Sequence, residues 1–429
     1  MATTDVYLIS GARTPYCKAG TALRDFGAYD LAAHAFKAAL ANSAVAPELV
    51  DEVILGNIAG PAEATNVARV AALIAGLPHK TPGLTVNRNC GSGLSAGHEG
   101  FLRIVSGEAE IILAGGAESM SQVPLLFNRR AKGKFEKLFG AKSLGQRLGV
   151  MAGFRPADFK PEIGLLLGLT DYACGKNMGE TAETLAKEWN ISREQQDEFA
   201  MRSHQRAVKA ATDGIFKSEI EGLPSPDRGQ WLDADIGPRP DSSMEKLAKL
   251  KPFFDRRFGT ITAGNSSQIT DGGAAFILAS EAAVKKNNLK PLARVMGFLS
   301  AGCDPARMGL GPAYAMPKLA AKLGKKHDDF GRLEINEAFA AQCLAVDAAL
   351  QSAEFCKKEL RLDNSFGAID WKKTNVHGGA IALGHPVGST GARLLISLAL
   401  EMQRGKIQHG MASLCIGGGQ GVAAALERC

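Results

Sequence analysis

The feature that most constrains the fold of this chain is a regular alternation of apolar, strand-like runs with segments of helical periodicity. Strand patterns at 6–10, 50–58 and 85–89 are separated by helical patterns at 29–42 and 66–77, with glycines at several of the turns. This alternation is typical of layered α/β folds, in which helices cover the faces of a sheet. We therefore predict an α/β fold.

The alternation is interrupted and then resumes, which predicts a duplicated α/β domain with an insertion in its first half. Residues 122–252 are polar, basic and mostly helical in pattern. Strand patterns return at 259–265 and 271–280, and the run of glycines followed by apolar residues recurs at 418–426. The predicted boundaries are 1–121 for the first part of the N-terminal half, 122–252 for the inserted loop domain, 253–284 for the completion of that half, and 285–429 for the C-terminal half.

The insertion contains two predicted helix starts and a strongly basic first part. Thr181 begins one helical pattern, and Ser192 with Gln195 forms the capping-box pattern that begins the next. Residues 129–160 contain nine lysines or arginines and two acids, interleaved with aromatic residues and leucines. Cationic amphipathic helices over 124–176 suit an anionic membrane surface or a partner subunit. The alternative is a solvated basic flap whose apolar residues cover an active site.

Composition is that of an ordinary soluble protein. Of 429 residues, 45% are hydrophobic and 22% charged, and the net charge of +6 is modest, so we predict no nucleic-acid partner. The eight cysteines are scattered without a CxxC pair, which argues against a disulfide framework or a zinc site and for a reducing compartment. The N-terminus lacks the pattern of a secretory signal. We predict a cytoplasmic location, although a matrix protein without its transit peptide would look the same.

One cysteine lies where a strand pattern gives way to a helical pattern. Cys90 follows the apolar run 83–86 and precedes the helical run 94–105, with Gly91 and Gly93 beside it. Backbone N–H groups at a helix start favour a thiolate, so the position predicts a lowered pKa and a nucleophilic role. The alternative is a buried structural cysteine.

Two later segments also carry groups suited to proton transfer or to binding a negatively charged oxygen. His377 and His385 lie among glycines and small residues, and histidine titrates near neutrality. Cys415 is followed by a run of three glycines, 417–419, whose N–H groups are able to face an oxyanion. Taken singly, each segment also fits a structural role.

Four short motifs together resemble those of the thiolase family. They are Asn89-Cys90-Gly91-Ser92-Gly93, Asn336-Glu337-Ala338-Phe339, Gly384-His385-Pro386 and Cys415-Ile416-Gly417-Gly418-Gly419. The resemblance covers nearly the whole chain in the right order. It implies a thiolase-like fold, with two similar βαβαβαββ halves in a layered αβαβα arrangement and a loop domain inserted in the first half.

The resemblance also implies catalytic roles. Cys90 would be the nucleophile that accepts the acyl group, and His385 the base that activates it. Cys415 would be the second acid/base, exchanging a proton with the α-carbon of the acetyl group. Asn336 would bind a water that forms one oxyanion hole with His385, while the N–H groups of Cys90 and Gly417 would form the other. The implied reaction is CoA-dependent cleavage of 3-ketoacyl-CoA in fatty acid β-oxidation. It uses CoA as substrate and needs neither a metal nor a redox cofactor.

The residues that the resemblance implies for substrate and CoA binding come mostly from the insertion and its end. Ala263 and Ser267 match a turn that contacts pantetheine, and Met178 matches a methionine that lines the substrate site. Arg239 falls where thiolases often carry a basic residue near the adenine nucleotide, and the alternative is a solvated loop arginine. Phe339 of the second motif is the remaining candidate.

The subtype is indicated by the insertion and by two departures from short-chain thiolases. Asn177 stands where those enzymes usually have histidine, and His377 where many have asparagine. Residues 142–148 resemble the β subunits of trifunctional fatty-acid oxidation complexes, which are long-chain thiolases. That likeness implies a hydratase/dehydrogenase α subunit as partner and peripheral membrane contact through 124–176. Thiolases generally imply a homodimer or a dimer of dimers.

Three other functions remain open at this stage. An acetyl-CoA C-acetyltransferase would use the same residues for Claisen condensation to acetoacetyl-CoA, with a smaller pocket. A ketoacyl synthase of the same superfamily would use one cysteine and two histidines, and Cys415 argues against it. A membrane-surface or scaffold protein that kept the fold would not need all of the catalytic residues.

Overall fold

A large mixed β-sheet runs through the centre of the molecule. A computed structural model describes residues 4–225 and 229–429. The main strands of the described residues are β1 Val6–Arg13, β2 Glu52–Gly56, β3 Gly83–Val86, β4 Ile111–Glu118, β5 Thr270–Ser280, β6 Ala293–Gly302, β7 Arg332–Ile335, β8 His409–Ile416 and β9 Gln420–Arg428. Two-residue strands occur at Cys17–Lys18, Leu125–Leu126, Glu162–Ile163, Leu223–Pro224 and Trp231–Leu232.

Helices cover both faces of this sheet and make up most of the insertion. In the described residues they are α1 Ala28–Ala41, α2 Val67–Ala75, α3 Ser92–Ser106, α4 Arg129–Gly140, α5 Leu144–Ala152, α6 Gly164–Gly168, α7 Met178–Glu188, α8 Arg193–Thr212, α9 Met244–Ala248, α10 Glu281–Lys286, α11 Gly311–Lys322, α12 Ala340–Gln351, α13 Ala353–Phe355, α14 Ala380–Leu383 and α15 Thr390–Gly405. No helix of these residues is long and apolar enough to cross a membrane.

The strand order confirms the predicted duplication. The sheet runs β7-β8-β9-β6-β1-β5-β4-β2-β3, and β1 and β6 pair antiparallel at its centre. From this central pair outward, the strand order is β1, β5, β4, β2 in the first half and β6, β9, β8, β7 in the second half. In each half the first strand is therefore followed by the last strand, then by the penultimate strand and then by the second strand. The counterpart of β3 in the second half is a single parallel bridge between Leu333 and Thr374. The antiparallel pairs β1/β5 and β6/β9, which are equivalent in the two halves, each contain one register shift.

Residue alternation along the strands builds the predicted layers, because successive side chains point to opposite faces of a sheet. In β5, Ala275 and Ile277 face an outer core with α1, whereas Phe276 and Leu278 face an inner core with α3 and α15. A third core packs α11 and α12 on the outer face of the second half. The order of layers is therefore α, β, α, β, α, and α3 and α15 lie in the shared middle layer.

Two local predictions, one just after the insertion and one within it, are wrong. Residues 259–265 form no strand, because the N–H groups of Thr260 and Ile261 are bound by the buried Glu183 carboxylate rather than by a neighbouring strand. Helix α7 begins before Thr181, at Met178, because Asn177 caps it. The predicted start of α8 at Ser192 is confirmed, together with its capping box.

The first part of the insertion forms a helical hairpin of α4 and α5 with its own small core. Four phenylalanines pack there with ring centroids 4.9–6.5 Å apart, namely Phe127, Phe135, Phe154 and Phe159. Asp158 bonds to Lys134 Nζ at 2.6 Å and Arg130 Nε at 2.8 Å. Large apolar side chains nevertheless face solvent at the outer end of the hairpin, where Phe139 is 85% and Leu144 74% exposed.

Candidate active site

Cys90 lies in the short turn between β3 and α3. The turn is tight: Asn89 has a left-handed φ of 45°, and a Cβ at Gly91 would stand 2.5 Å from Ile416. The predicted lowering of the Cys90 pKa is wrong in sign. Burial raises the pKa of the thiol, and the backbone N–H groups of Gly417 and of Cys90 itself lower it only in part. The helix begins two residues later, at Ser92, so the thiol needs a base to ionise at neutral pH.

His385 is a buried, neutral imidazole whose tautomer follows from its hydrogen bonds. Thr390 Oγ1 lies 2.6 Å from His385 Nδ1 and donates its own hydrogen to the Pro386 carbonyl at 3.1 Å. Nδ1 must therefore carry the proton, which leaves Nε2 as a free base. Burial, together with the positive charge of Arg393, lowers the pKa of His385 to about 3. The Asn336 side-chain amide lies 3.4 Å from Nε2.

Cys415 ends β8 within an apolar cluster at the back of the site. Met178, Phe339 and Ile261 belong to the same cluster, and Phe339 packs on Phe254. Burial raises the pKa of the Cys415 thiol well above its usual range, and the nearby Cys90 thiolate would raise it further. Cys415 is therefore held protonated, as a proton donor requires.

The glycine turn after Cys415 lies close to Cys90. Gly418 and Gly419 have φ values of 90° and 75°, a region that favours glycine. A Cβ at Gly419 would overlap the Cys303 carbonyl, so the turn also needs glycine for close packing. The Gly417 carbonyl accepts a hydrogen bond of 2.8 Å from Asn89 Nδ2, next to Cys90.

A largely apolar cavity of about 680 Å³ opens beside Cys90. Its lining comes from the loop after β2, the insertion and the glycine turn, including Ala59, Met120, Leu126, Leu165, Leu169, Met178, Val387 and Gly417. His385, Cys415 and Asn336 are buried and do not line this cavity. A thiol at the wall of an apolar chamber, with a second thiol near it, is suited to transfer of a hydrophobic acyl group.

Comparison with known sequences agrees with this arrangement. The family models described as "Thiolase, N-terminal domain" and "Thiolase, C-terminal domain" match residues 6–282 and 289–428. The chain belongs to the thiolase family. It is accordingly an acyltransferase that uses CoA.

The relatives of this thiolase match it from end to end. The human "3-ketoacyl-CoA thiolase, mitochondrial" is 40% identical over 425 residues, which is 98% of each chain. A "Probable acetyl-CoA acyltransferase" of Staphylococcus aureus (strain COL) is 41% identical and covers 99% of each. The crystal structure of the Bacillus anthracis acetyl-CoA acetyltransferase superposes with a TM-score of 0.87 at 38% identity, covering all of both chains.

The candidate binding residues of this thiolase divide into two groups. Met178 lines the cavity next to Gly417, and a Cβ at Gly417 would stand 3.1 Å from its sulfur. Phe339 is nine-tenths buried beside Cys415. Ala263, Ser267 and Arg239 do not line the cavity. Ser267 N–H donates to the Ala338 carbonyl at 2.9 Å, and the Arg239 N–H donates to the His204 ring at 3.2 Å.

Several residues around the thiolase site were missed in the sequence. Thr390 is one, although its hydroxyl sets the tautomer of His385. Glu337 accepts bonds from Ser203, Asn375 and the Ile381 N–H, which joins the insertion to the second half. The position of Glu337 directly after Asn336 was a signal that its side chain lies near the site. Its hydrogen-bond partners could not be identified in the same way, because they lie far away in the chain.

His377, the other histidine of its segment, lies away from Cys90. Its Nε2 is 2.7 Å from Glu401, and Arg404 also bonds to that carboxylate at 2.8 Å. The contact between His377 and Glu401 ties the loop before α14 to α15. His377 is therefore a structural residue, and its departure from the short-chain pattern does not touch the cavity.

Proposed function

We propose that this thiolase cleaves 3-ketoacyl-CoA with a long acyl chain, giving acetyl-CoA and an acyl-CoA shortened by two carbons. The observation that carries the proposal is the apolar cavity of about 680 Å³ beside Cys90. An acetoacetyl group leaves only a two-carbon acyl remnant on the cysteine, which needs little of that space. Burial of each methylene contributes about 0.8 kcal/mol, so an apolar chamber of this size favours long chains.

In the first half-reaction, His385 Nε2 takes the proton of Cys90 and the sulfur attacks the 3-keto carbon. The bond between C2 and C3 then breaks, and its electron pair passes to C2 as the enolate of acetyl-CoA. Cys415 gives its proton to C2 and releases acetyl-CoA. Because the pKa of Cys415 is raised by burial, its thiol is protonated when that step begins.

In the second half-reaction, CoA takes the acyl group from the Cys90 thioester. The thiol of CoA loses its proton to the Cys415 thiolate left by the first half-reaction, attacks the thioester carbonyl and expels the Cys90 sulfur. That sulfur then regains its proton from His385. A thioester is exchanged for a thioester, so the step is nearly balanced in energy. The reaction is a ping-pong sequence with an acyl-enzyme intermediate.

Two sets of donors stabilise the charge on oxygen. The N–H groups of Cys90 and Gly417 face the sulfur and are suited to the oxyanion that forms when it attacks. Asn336 would bind a water that, with His385, stabilises the enolate oxygen of acetyl-CoA. Supporting this, Asn336 Oδ1 is buried without a protein partner in the described residues.

The CoA molecule would approach from the insertion side of the site. Ser267 and Ala263 lie on the turn that packs against Phe339, which supports a path for pantetheine past that ring. Arg239 is exposed and so is available to the nucleotide phosphates. Met178 would contact the acyl group at the cavity wall.

We infer a homodimer, formed through the edge of the first half. In the described part of the chain, strand β3 is the last strand of the sheet and pairs along one edge only, and its Leu84 and Val86 remain partly exposed. Leu73, Ile74 and Leu102 on the neighbouring helices are more than 40% exposed. Light scattering should give a dimer mass for the wild type and a monomer mass for Leu84→Asp.

The α4–α5 hairpin is the surface proposed for an anionic membrane or an α subunit. Its exposed Phe139, Leu144 and Leu148 stand among lysines and arginines. Cosedimentation with vesicles of anionic phospholipid tests the membrane, and Phe139→Ser with Leu148→Ser should abolish binding without changing cleavage of soluble substrate. Failure of the wild type to bind vesicles would leave the α subunit as the partner to seek.

The proposed activity is tested by CoA-dependent cleavage across a series of 3-ketoacyl-CoA chain lengths, with Cys90→Ala as control. We expect kcat/KM to rise from four carbons to long chains, and no cleavage by the variant. Activity confined to acetoacetyl-CoA would instead assign an acetyl-CoA C-acetyltransferase, the function named for the Bacillus anthracis structure.

A further inference from the structure

The Gly417–Gly418 peptide joins two glycines, whose lack of side chains places few limits on the backbone. In the structure, however, a hydrogen bond holds this peptide in place. The Gly417 N–H belongs to the Ile416–Gly417 peptide, and Gly417 has no side chain to limit its φ and ψ, so movement of the next peptide would also move Gly417. On one side the chain is fixed, because Ile416 pairs with Gln420 across the β8/β9 turn. The placement of Gly417 and its N–H beside Cys90 therefore also depends on what fixes the peptide that follows.

The carbonyl end of that peptide is bound by Asn89. The distance from Asn89 Nδ2 to the Gly417 oxygen is 2.8 Å. Asn89 is itself held rigidly, since its N–H bonds to the Asn87 side chain at 3.0 Å and its carbonyl accepts from Ser92 N–H at 2.9 Å. Its left-handed backbone aims the side chain across the turn, and asparagine tolerates that region well. The residue beside the nucleophile thus orients the glycine turn opposite it.

The N–H end of the same peptide lies next to Asp171 of the insertion, because both line the wall of the same cavity. Asp171 is only 7% exposed and lines the cavity together with Gly418, Asn89 and Cys90. Its carboxylate is held by the N–H groups of Ala173 at 2.7 Å and Cys174 at 3.0 Å. Burial alone would raise the pKa of Asp171, but the N–H groups of Cys174, Ala173 and Gly418 outweigh it and keep the carboxylate charged.

The loop that carries Asp171 also walls the cavity. A bridge between Thr170 and Asn177 closes the loop, and Met178 N–H donates to Leu169 at 2.9 Å. Leu169 and Met178 both line the proposed acyl chamber. The loop that would contact the acyl chain is therefore the loop that places Asp171 next to Gly418 at the cavity wall.

We propose that Asn89 and Asp171 are positioning residues that clamp the two ends of the Gly417–Gly418 peptide, and so fix the direction of the Gly417 N–H toward Cys90. The clamp rests on the proposed role of Gly417 as an oxyanion donor. Through Asp171 it couples the wall of the acyl cavity to the donor that stabilises charge during acyl transfer.

The test compares Asn89→Gly with Asn288→Gly, an exposed asparagine of nearly the same φ that lies outside the site. Asn89→Gly keeps the left-handed backbone and removes only the side chain. Loss of a preorganised oxyanion donor typically costs about 10²–10³ in kcat, so a misdirected donor should cost at least about tenfold. We expect kcat for cleavage to fall by that factor, with KM for CoA within about twofold of the wild type.

A second readout does not depend on the substrate. The rate at which iodoacetamide alkylates Cys90 follows its thiolate, which the Gly417 N–H favours. In Asn89→Gly the pH profile of alkylation should shift to higher pH, whereas Asn288→Gly should match the wild type. If the wild type cleaves no 3-ketoacyl-CoA, the proposed function fails, and the alkylation profile still tests the clamp.

Two further variants keep the proposal falsifiable if Asn89→Gly fails to fold. Asn89→Asp puts an acceptor against the Gly417 carbonyl, and Asp171→Asn turns donor hydrogens toward neighbouring N–H groups. Both are expected to show the same loss of kcat and the same shift in alkylation. Wild-type kcat and alkylation profiles in the folded variants would overturn the clamp and leave Asn89 and Asp171 as loop-stabilising residues.

Discussion

Replacing Gly168 by leucine tests whether the cavity beside Cys90 receives the acyl chain. Gly168 lines the cavity at the end of α6, and a Cβ at this position meets no atom within 4 Å. Its φ is not left-handed, so leucine fits the backbone without strain. The new side chain therefore has room at the exposed edge of the cavity and displaces no protein.

The expected loss of kcat/KM follows from the number of substrate methylenes that the new side chain excludes from the cavity. A leucine side chain has four carbons, so it takes the room of about four methylenes of the substrate. At about 0.8 kcal/mol for each buried methylene, the loss is about 3 kcal/mol, or a factor of about 150 in kcat/KM. A two-carbon acyl remnant on Cys90 does not extend that far, so cleavage of acetoacetyl-CoA should be unchanged.

The assay is CoA-dependent cleavage of 3-ketoacyl-CoA of four to sixteen carbons by wild type and variant. Gly145→Leu is the matched control, because Gly145 also borders open space but does not line the cavity. We expect the variant to lose activity progressively with chain length and the control to retain it. An equal loss at every length, or none at any, would refute the assignment of this cavity to the acyl chain.

Four further predictions concern individual side chains. Thr390→Val removes the acceptor of His385 Nδ1–H, so we expect kcat to fall about tenfold or more, while Thr390→Ser restores it. Cys415→Ala should lower cleavage by about 10²–10⁴ yet leave transfer of an acetyl group from acetyl-CoA to Cys90 detectable by mass spectrometry. Burial and Arg239 lower the pKa of His204 to about 4, so below about pH 6.5 the unfolded chain binds a proton that the folded chain does not. Wild type should therefore lose about 1.4 kcal/mol of stability per pH unit relative to His204→Gln between about pH 6.5 and 4, as measured by urea unfolding. Asp158→Asn should speed proteolysis within residues 127–159 without lowering kcat for acetoacetyl-CoA.

The fold could be predicted because the strand and helix patterns are local in the sequence and occur in both halves of the chain. The strand of 271–280 and its counterpart at 418–426 lie in equivalent positions, next to the central pair of strands. The wrong strand at 259–265 shows the limit of pattern alone. Its backbone donors are satisfied by Glu183, about eighty residues earlier, and no periodicity reveals such a partner.

The motifs predict the residues of the site but not its electrostatics. The roles of Cys90, His385 and Cys415 stay predictions, whereas the raised pKa of Cys90 comes from a burial that only the folded chain reveals. The positions of Asn89 and Asp171 could not be predicted from the motifs either, because these two residues come to lie beside the same glycine peptide only when the chain folds. The cytoplasmic location and the α subunit stay predictions.

The surroundings of the three titratable groups account for the proposed order of proton transfers. Groups whose environments drive their pKa values apart take opposite acid and base roles. Burial beside Arg393 lowers the pKa of His385 to about 3, so its free Nε2 starts as a base. Burial keeps Cys415 protonated, so it starts as an acid, and Cys90 is the thiol whose sulfur is faced by N–H groups. The two cysteines therefore differ in their surroundings. The N–H groups of two residues face the Cys90 sulfur, whereas burial holds Cys415 protonated, and this difference supports opposite roles for the two thiols.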